Sequence, residues 1–146
     1  MKNLISYIVQ NRIKMLFQTF DDDIRKQKFQ TLDPWQFEKY CSYFIEKYMG
    51  LKVIHKKYDK GVDILAGRED KTGTLHQVII QCKHHASDIT PNYVRELNGS
   101  REFYPEAEEA ILITSGHFSD GAITAAEELN IKLIDGRELT KISEKL

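Results

Sequence analysis

Two short apolar runs carry residues that apolar strands do not need. Asp63 interrupts "GVDILAG", and Gln81 and Lys83 interrupt "LHQVIIQCK". Side chains alternate faces along a strand, so Ile79, Gln81 and Lys83 share one face of the second run, and Val78, Ile80 and Cys82 the other. If the polar loop between the runs centres near Thr72, a hairpin pairs Asp63 with Gln81 and Leu65 with Ile79. One face then presents Asp63, Gln81 and Lys83 together. A slip of one residue would put Asp63 on the opposite face.

The trio has a definite chemistry. Asp63 offers a hard carboxylate, Gln81 a neutral carbonyl oxygen, and the backbone carbonyl of Cys82 a third oxygen. An oxygen-only set of this kind suits Mg²⁺, with Mn²⁺ as a substitute, and leaves several waters on the ion. The Lys83 ammonium cannot bind the ion while protonated. It can orient an attacking water or offset charge on a phosphorane-like transition state. Metal-assisted phosphodiester hydrolysis is the reaction that uses all of these groups. An Asp and a Lys on facing strands also suit a plain cross-strand ion pair, and the trio alone leaves both readings open. Cys82, on the other face, is expected to fill the core as a small hydrophobe.

These residues need elements to position them. "LDPWQFEKYCSYFIEKYMG" is the clearest helix. Asp33 is the expected N-cap, Pro34 suits the first position, Gln36 completes a capping box, and Gly50 follows the end. Phe37, Cys41, Phe44, Ile45 and Tyr48 recur at helical spacing. Glu38 stands on the rim of that stripe, where it can extend the metal's shell. "LKVIHKKY" reads as a further strand and "NYVRELNGSREFY" as a helix weakened by Gly99. "EAILITSG" reads as a buried strand, "SDGAITAAEELN" as a helix capped by Ser119, "IKLIDG" as a last strand and "RELTKISEKL" as a terminal helix. Residues 1 to 20 suit an amphipathic helix with Leu4, Ile5, Ile8, Ile13, Leu16, Phe17 and Phe20 on its apolar side, punctuated by Asp21, Asp22 and Asp23. The order α-α-β-β-β-α-β-α-β-α implies an α/β sandwich with a mixed sheet.

Composition sets outer limits. A chain of 146 residues holds one domain with a real core. Its net charge of -1 excludes bulk attraction to polyanions, so a nucleic acid would need a local basic patch. Two cysteines in apolar patterns argue against a disulfide scaffold and for a reducing, cytoplasmic setting. The N-terminal stretch is too polar for a membrane span and lacks the pattern of a secretory signal. No glycine-rich phosphate loop of the dinucleotide or Walker type is present, which sets a nucleotide-using small-molecule enzyme aside.

From about Thr31 to Leu146 the chain resembles the catalytic domain of Mrr-like restriction endonucleases, within the PD-(D/E)xK nuclease superfamily. "LDPWQFEKY" resembles the family's first helix with its phenylalanine-glutamate pair, and "DKGVDIL" its metal-binding aspartate strand. "VIIQCKHH" resembles the glutamine-x-lysine strand and "VRELNGS" the helix after it. "AILITSGHFSDGA" resembles the threonine-rich strand and turn, and "IKLIDGREL" the closing strand. The six pieces occur in order. The resemblance implies a restriction-endonuclease-like three-layer sandwich, a mixed central sheet flanked by helices. It also implies a divalent metal and cleavage of DNA. Carried over by position, Glu38, Asp63, Gln81 and Lys83 are the catalytic set, with Asp63, Gln81, Glu38 and the Cys82 carbonyl at the metal. Gln81 stands where the superfamily more often has an acid, but the Mrr-like branch itself has glutamine there. Lys60, Gly61 and Val62 separate Asp59 from Asp63, where the family often has two glycines.

Residues 1–30 are then an N-terminal helical extension and 31–146 the nuclease domain. The extension is too short for the separate DNA-reading domain of full-length Mrr-like proteins. Around the site, Lys56, Lys57 and Lys60, with Lys52 nearby, form a candidate backbone-reading patch. His84, His85, Arg95, Ser115 and His117 are further candidate DNA contacts, with Thr114 beside them. A single site that must cut both strands favours a homodimer. The expected activity is a Mg²⁺-dependent DNA endonuclease of restriction or of repair and recombination. The alternatives are a catalytically inactive nuclease-like DNA-binding module and a Holliday-junction resolvase.

Overall fold

A computed structural model describes residues 3–12, 32–55 and 60–143. Lys56, Lys57, Asp59, the apolar positions from Ile13 to Phe20 and the acidic run at 21–23 therefore lie outside the described residues. Residues 4–12 are helical. The elements that follow are α1 (Pro34–Met49), β1 (Lys52–His55), β2 (Ile64–Glu69), β3 (Leu75–Lys83), α2 (Pro91–Ser100), β4 (Ala107–Thr114), α3 (Asp120–Leu129), β5 (Lys132–Ile134) and α4 (Gly136–Ser143). A 3₁₀ turn at Arg101–Phe103 extends α2.

The helix boundaries follow from local chemistry. The Asp33 carboxylate accepts from the Gln36 backbone N–H, and the Gln36 side chain accepts from the Asp33 backbone N–H, so the capping box closes. Gly50, at φ 66°, ends α1 in the left-handed conformation that glycine adopts without strain. Ser119 caps α3 through Ala122 N–H.

The sheet has the order β1-β2-β3-β4-β5. The first three strands are antiparallel, and β3, β4 and β5 run parallel. Each parallel step crosses over through a helix, α2 and then α3, and both lie on one face. On that face Ile79, Leu112 and Ala110 pack against Val94 and Leu97 of α2 and Ala122, Ala125 and Ala126 of α3. On the other face Ile64, Ala66, Val78, Ile80, Ile111 and Ile113 pack against Phe37, Tyr40, Cys41, Phe44 and Ile45 of α1 and Leu139 of α4. The result is a three-layer α/β sandwich. Burying Phe44 and Ile45 completely contributes about 1.5–3 kcal/mol each, which is what holds α1 to the sheet.

The β2–β3 register is the expected one, with Leu65 opposite Ile79 and Ile64 opposite Ile80. Its turn is built by Asp70, whose carboxylate accepts from the backbone N–H of Thr72 and of Thr74 and from the Thr72 hydroxyl. Gly73, at φ 83°, completes the reversal. His76 ties this tip to the neighbouring strand. Its Nε2 lies 2.7 Å from Asp70 and its Nδ1 2.8 Å from Glu108 at the start of β4.

Candidate active site

The site forms where β2 begins and β3 ends. Asp63 lies one residue before β2, and its backbone N–H donates to the Ile80 carbonyl at 3.0 Å. Its carboxylate Oδ2 accepts from the Cys82 N–H at 2.7 Å. The backbone bond from Asp63 to Ile80 is one residue out of the Ile64–Ile80 register, and Val62 is bridged again, so the pairing is irregular at Asp63 and its carboxylate reaches the Cys82 N–H. This departs from the expected placement. Asp63 does not simply stand off the sheet with Gln81. Its side chain lies along the ladder, at the end of β3. The N–H and C=O of a strand residue point the same way, so the Cys82 carbonyl also turns toward Asp63.

Gln81 and Lys83 face the α2 layer, as the alternation requires. Gln81 is only 7% exposed, and its Oε1 has no hydrogen-bond partner. A buried carbonyl oxygen without a donor costs free energy comparable to a lost hydrogen bond, and such orphans are rare. The Lys83 ammonium lies 5.1 Å from the centre of the Tyr93 ring on α2. Its charge still acts on Asp63. Among the described residues the two do not form a contact ion pair, so the plain salt-bridge reading of the hairpin does not account for them. Burial pushes the Asp63 carboxyl above the usual carboxylate range, against the opposing pull of the Cys82 N–H and the Lys83 charge.

Glu38 approaches from the other layer. It stands on α1, half-buried, and its charge acts on the Cys82 thiol. Cys82 packs into the α1-side core beside Cys41, and burial followed by the contact with Cys41 raises its thiol well above the ordinary value. It is partly buried against the α1-side core, on the face expected from the alternation.

The surrounding candidates separate. Lys60 is exposed at the rim, with its ammonium 5.0 Å from the centre of the Phe103 ring. His85 meets the Tyr93 ring edge-on at 5.4 Å, so Tyr93 touches both His85 and Lys83. Arg95 is exposed and donates to Asn92 at 3.3 Å. His117 is exposed on the β4–α3 loop. His84 and Ser115 are engaged with each other, Nδ1 to Oγ, at 2.7 Å. The His84 Nε2 is also 2.7 Å from the Leu32 carbonyl. Both ring nitrogens of His84 are thus engaged within the fold. Thr114 is buried, and its hydroxyl accepts from Gly116 N–H. Tyr93 was not legible as a site residue. A tyrosine in the first turn of a helix carries no signal until the sheet brings Lys83 to it.

No group of three or more His, Cys, Asp or Glu side chains converges on a metal position among the described residues. The oxygen set here is instead one carboxylate, one amide and one backbone carbonyl. The orphaned Gln81 oxygen and the desolvated Asp63 carboxylate both lack what a hard cation would supply, so the residues fit such an ion.

Comparison with known proteins identifies the family and the fold. Residues 29–143 match the sequence model of a restriction endonuclease family, Mrr_cat. The solved structures that resemble it include a protein of unknown function, AF1548, with TM-score 0.56 and 18% identity over 75% of this chain and 58% of that one. The DNA modification-dependent restriction endonuclease AspBHI aligns with TM-score 0.58 and 15% identity, covering 87% of this chain and 34% of that one. The MspJI restriction endonuclease, in complex with a 27-mer oligonucleotide, aligns with TM-score 0.53 and 17% identity over 90% of this chain and 30% of its own. The chain thus spans 58% or less of the length of these three. Comparison with curated proteins gives no match. No helix among the described residues is long and apolar enough to cross a membrane. The fold is that of restriction endonucleases, and the chain belongs to the Mrr_cat restriction endonuclease family.

Proposed function

We propose that this chain is a DNA endonuclease that hydrolyses phosphodiester bonds with Mg²⁺, or Mn²⁺ in its place. The observation that carries the reading is a pair of buried oxygens from the paired ends of β2 and β3. One is the desolvated carboxylate of Asp63, and the other is the orphaned Oε1 of Gln81. Asp63, Gln81 and the Cys82 carbonyl would hold the ion, and Glu38, reaching the same strand end from the α1 layer, would add a second carboxylate. When bound, the ion supplies Lewis-acid polarisation of a phosphate oxygen and a more acidic water.

The protein's own groups do the remaining work. Lys83 is a donor only, held toward Tyr93, and it offsets the extra negative charge as water oxygen bonds to phosphorus and the P–O ester bond breaks. The attacking water gives up a proton and the departing oxygen gains one. Asp63 keeps Cys82 and its carbonyl in place by accepting the Cys82 N–H. Lys60, Arg95, His85 and His117, together with Lys56 and Lys57, supply positive charge and donors for the backbone. Binding through them should weaken as salt rises. DNA as partner is supported by family membership and by the oligonucleotide bound to MspJI. We read 31–146 as the nuclease domain and 1–30 as an extension.

The test is incubation with supercoiled, linear and branched DNA, each with Mg²⁺, Mn²⁺ or chelator. Metal-dependent cleavage lost in chelator is the expected result. Preference for the branched substrate would move the reading to junction resolution. Binding without cleavage under every condition would leave a nuclease-like DNA-binding module and overturn the proposal.

A further inference from the structure

We propose that His84 is a positioning residue, a three-way brace that fixes the direction of Lys83. This rests on Lys83 acting in the site proposed above.

At Lys83 strand β3 ends. Beyond it the sheet no longer dictates the backbone, yet the Lys83 side chain must be held on the α2 side. The imidazole of His84 points the other way, toward α1, and touches three separate parts of the fold. It stacks on Phe37 of α1 with ring centres 5.1 Å apart and planes at 22°. Its Nε2 is 2.7 Å from the carbonyl of Leu32, just ahead of α1. Its Nδ1 is 2.7 Å from the hydroxyl of Ser115, just past β4. A carbonyl only accepts, so Nε2 carries a proton, and in the neutral ring Nδ1 accepts from the Ser115 hydroxyl. Ser115 contributes twice, because its backbone N–H donates to the Lys83 carbonyl at 3.2 Å. The Lys83 carbonyl and the next side chain are thus tied to the same residue of β4. Beyond this point the loops stay in register, since a Cβ on Gly116 would stand 2.5 Å from the His85 carbonyl oxygen.

The consequence is mechanical. With the peptide between Lys83 and His84 fixed, the Cα–Cβ bond of Lys83 has one direction, toward Tyr93. Releasing the imidazole frees that peptide to rotate. Small displacements of a catalytic group are costly, with about 1 Å worth up to about 100-fold in rate.

The test uses His84→Phe, which keeps a flat ring over Phe37 and removes both polar ties. Ser115→Ala, which removes one tie, serves if His84→Phe does not fold. For each variant, single-turnover cleavage, DNA affinity in chelator and the rate of acetylation of Lys83 by a soluble anhydride, read by mass spectrometry, are measured. The expected result for His84→Phe is unchanged DNA affinity, a rate about 10- to 100-fold lower, and altered Lys83 acetylation. In a Lys83→Ala background the same substitution should cost no further rate, because there is no ammonium left to position. Ser115→Ala should move the same quantities in the same direction by less. An equal loss with and without Lys83 would make His84 merely structural and overturn the proposal. So would wild-type rate and acetylation. If the wild-type protein cleaves nothing, the nuclease reading fails by itself, and Lys83 acetylation still decides whether His84 braces Lys83.

Discussion

The carboxylate of Asp63 accepts the backbone N–H of Cys82 at 2.7 Å, so the candidate metal-binding acid also ties down the end of β3. Asp63→Asn separates the two roles, because the amide oxygen can accept the same N–H while the charge is gone. Burial raises the Asp63 carboxyl, partly offset by the Cys82 N–H and the Lys83 charge. The sign follows from linkage. Below the ordinary value of about 3.9 both states are protonated. Between that value and the raised one the folded state holds the extra proton, so stability falls as pH rises through this window. Above it the full penalty of a desolvated carboxylate remains. Asp63→Asn should therefore melt at a higher temperature than wild type at neutral pH without metal. It should lose the rise in Tm that Mg²⁺ gives the wild type, and lose cleavage. A melting series with and without Mg²⁺ checks all three. A lower metal-free Tm would mean the charge stabilises the fold.

Cys82 lies between Gln81 and Lys83 in sequence but packs on the α1 side with Cys41. Cys82→Ser should lower stability by about 1–3 kcal/mol, from burying a hydroxyl in an apolar setting. The cleavage rate of the folded protein should stay as it was. Urea denaturation gives the first quantity and single-turnover kinetics the second.

The sequence carried the elements through strong local signals. The capping box at Asp33 and Gln36, the glycine after α1 and the alternation along β3 each state one local fact, and the structure repeats them. The β2–β3 register was legible because Thr72 centres a turn that Asp70 builds from its own neighbours. Two parts were not legible. Alternation assumes an even ladder, so it placed Asp63 on a face, whereas the pairing is irregular at Asp63 and its side chain accepts from the Cys82 N–H. Long-range pairing leaves no local trace either. Nothing around His84 announces that Leu32 and Ser115 will meet it, 52 and 31 residues away in the chain.

His76 makes a prediction that is independent of the site. Its ring is held between Asp70 and Glu108, and those two carboxylates, Asp70 first, raise it above the ordinary histidine value. The Thr72 hydroxyl and then His76 hold the Asp70 carboxyl far below its usual range. The raised imidazole stabilises fully below about 6.5, and that contribution is lost as pH rises through its folded value. The lowered carboxyl stabilises above about 3.9 and is lost only in strong acid. The hairpin tip is thus tied most firmly in mildly acidic solution. His76→Gln should lower Tm at pH 5.5 and converge on wild type by pH 8.5. A difference that does not change with pH would assign His76 to packing alone. The NMR titration of the His76 ring should show a midpoint above that of a free histidine.

Gln81 is the neutral member of the candidate metal set. Its Oε1 is buried without a donor, and Asp63 supplies a full charge nearby. Gln81→Glu keeps nearly the same shape and adds a third charge to those of Asp63 and Glu38. Without metal, a buried carboxylate beside Asp63 should lower Tm, because neither desolvation nor like-charge repulsion is compensated. With Mg²⁺ the same group is the stronger ligand, so half-maximal cleavage should come at a lower metal concentration than in wild type. Lys83, two residues along the same face, keeps its place beside the site. Gln81→Glu should therefore still cleave. Gln81→Ala removes the oxygen and should need more metal while losing much of its rate. Mg²⁺ titrations of Tm and of cleavage, run on both variants, decide the matter. If every curve superimposes on wild type, Gln81 is not a ligand, and its unpaired buried oxygen needs another explanation.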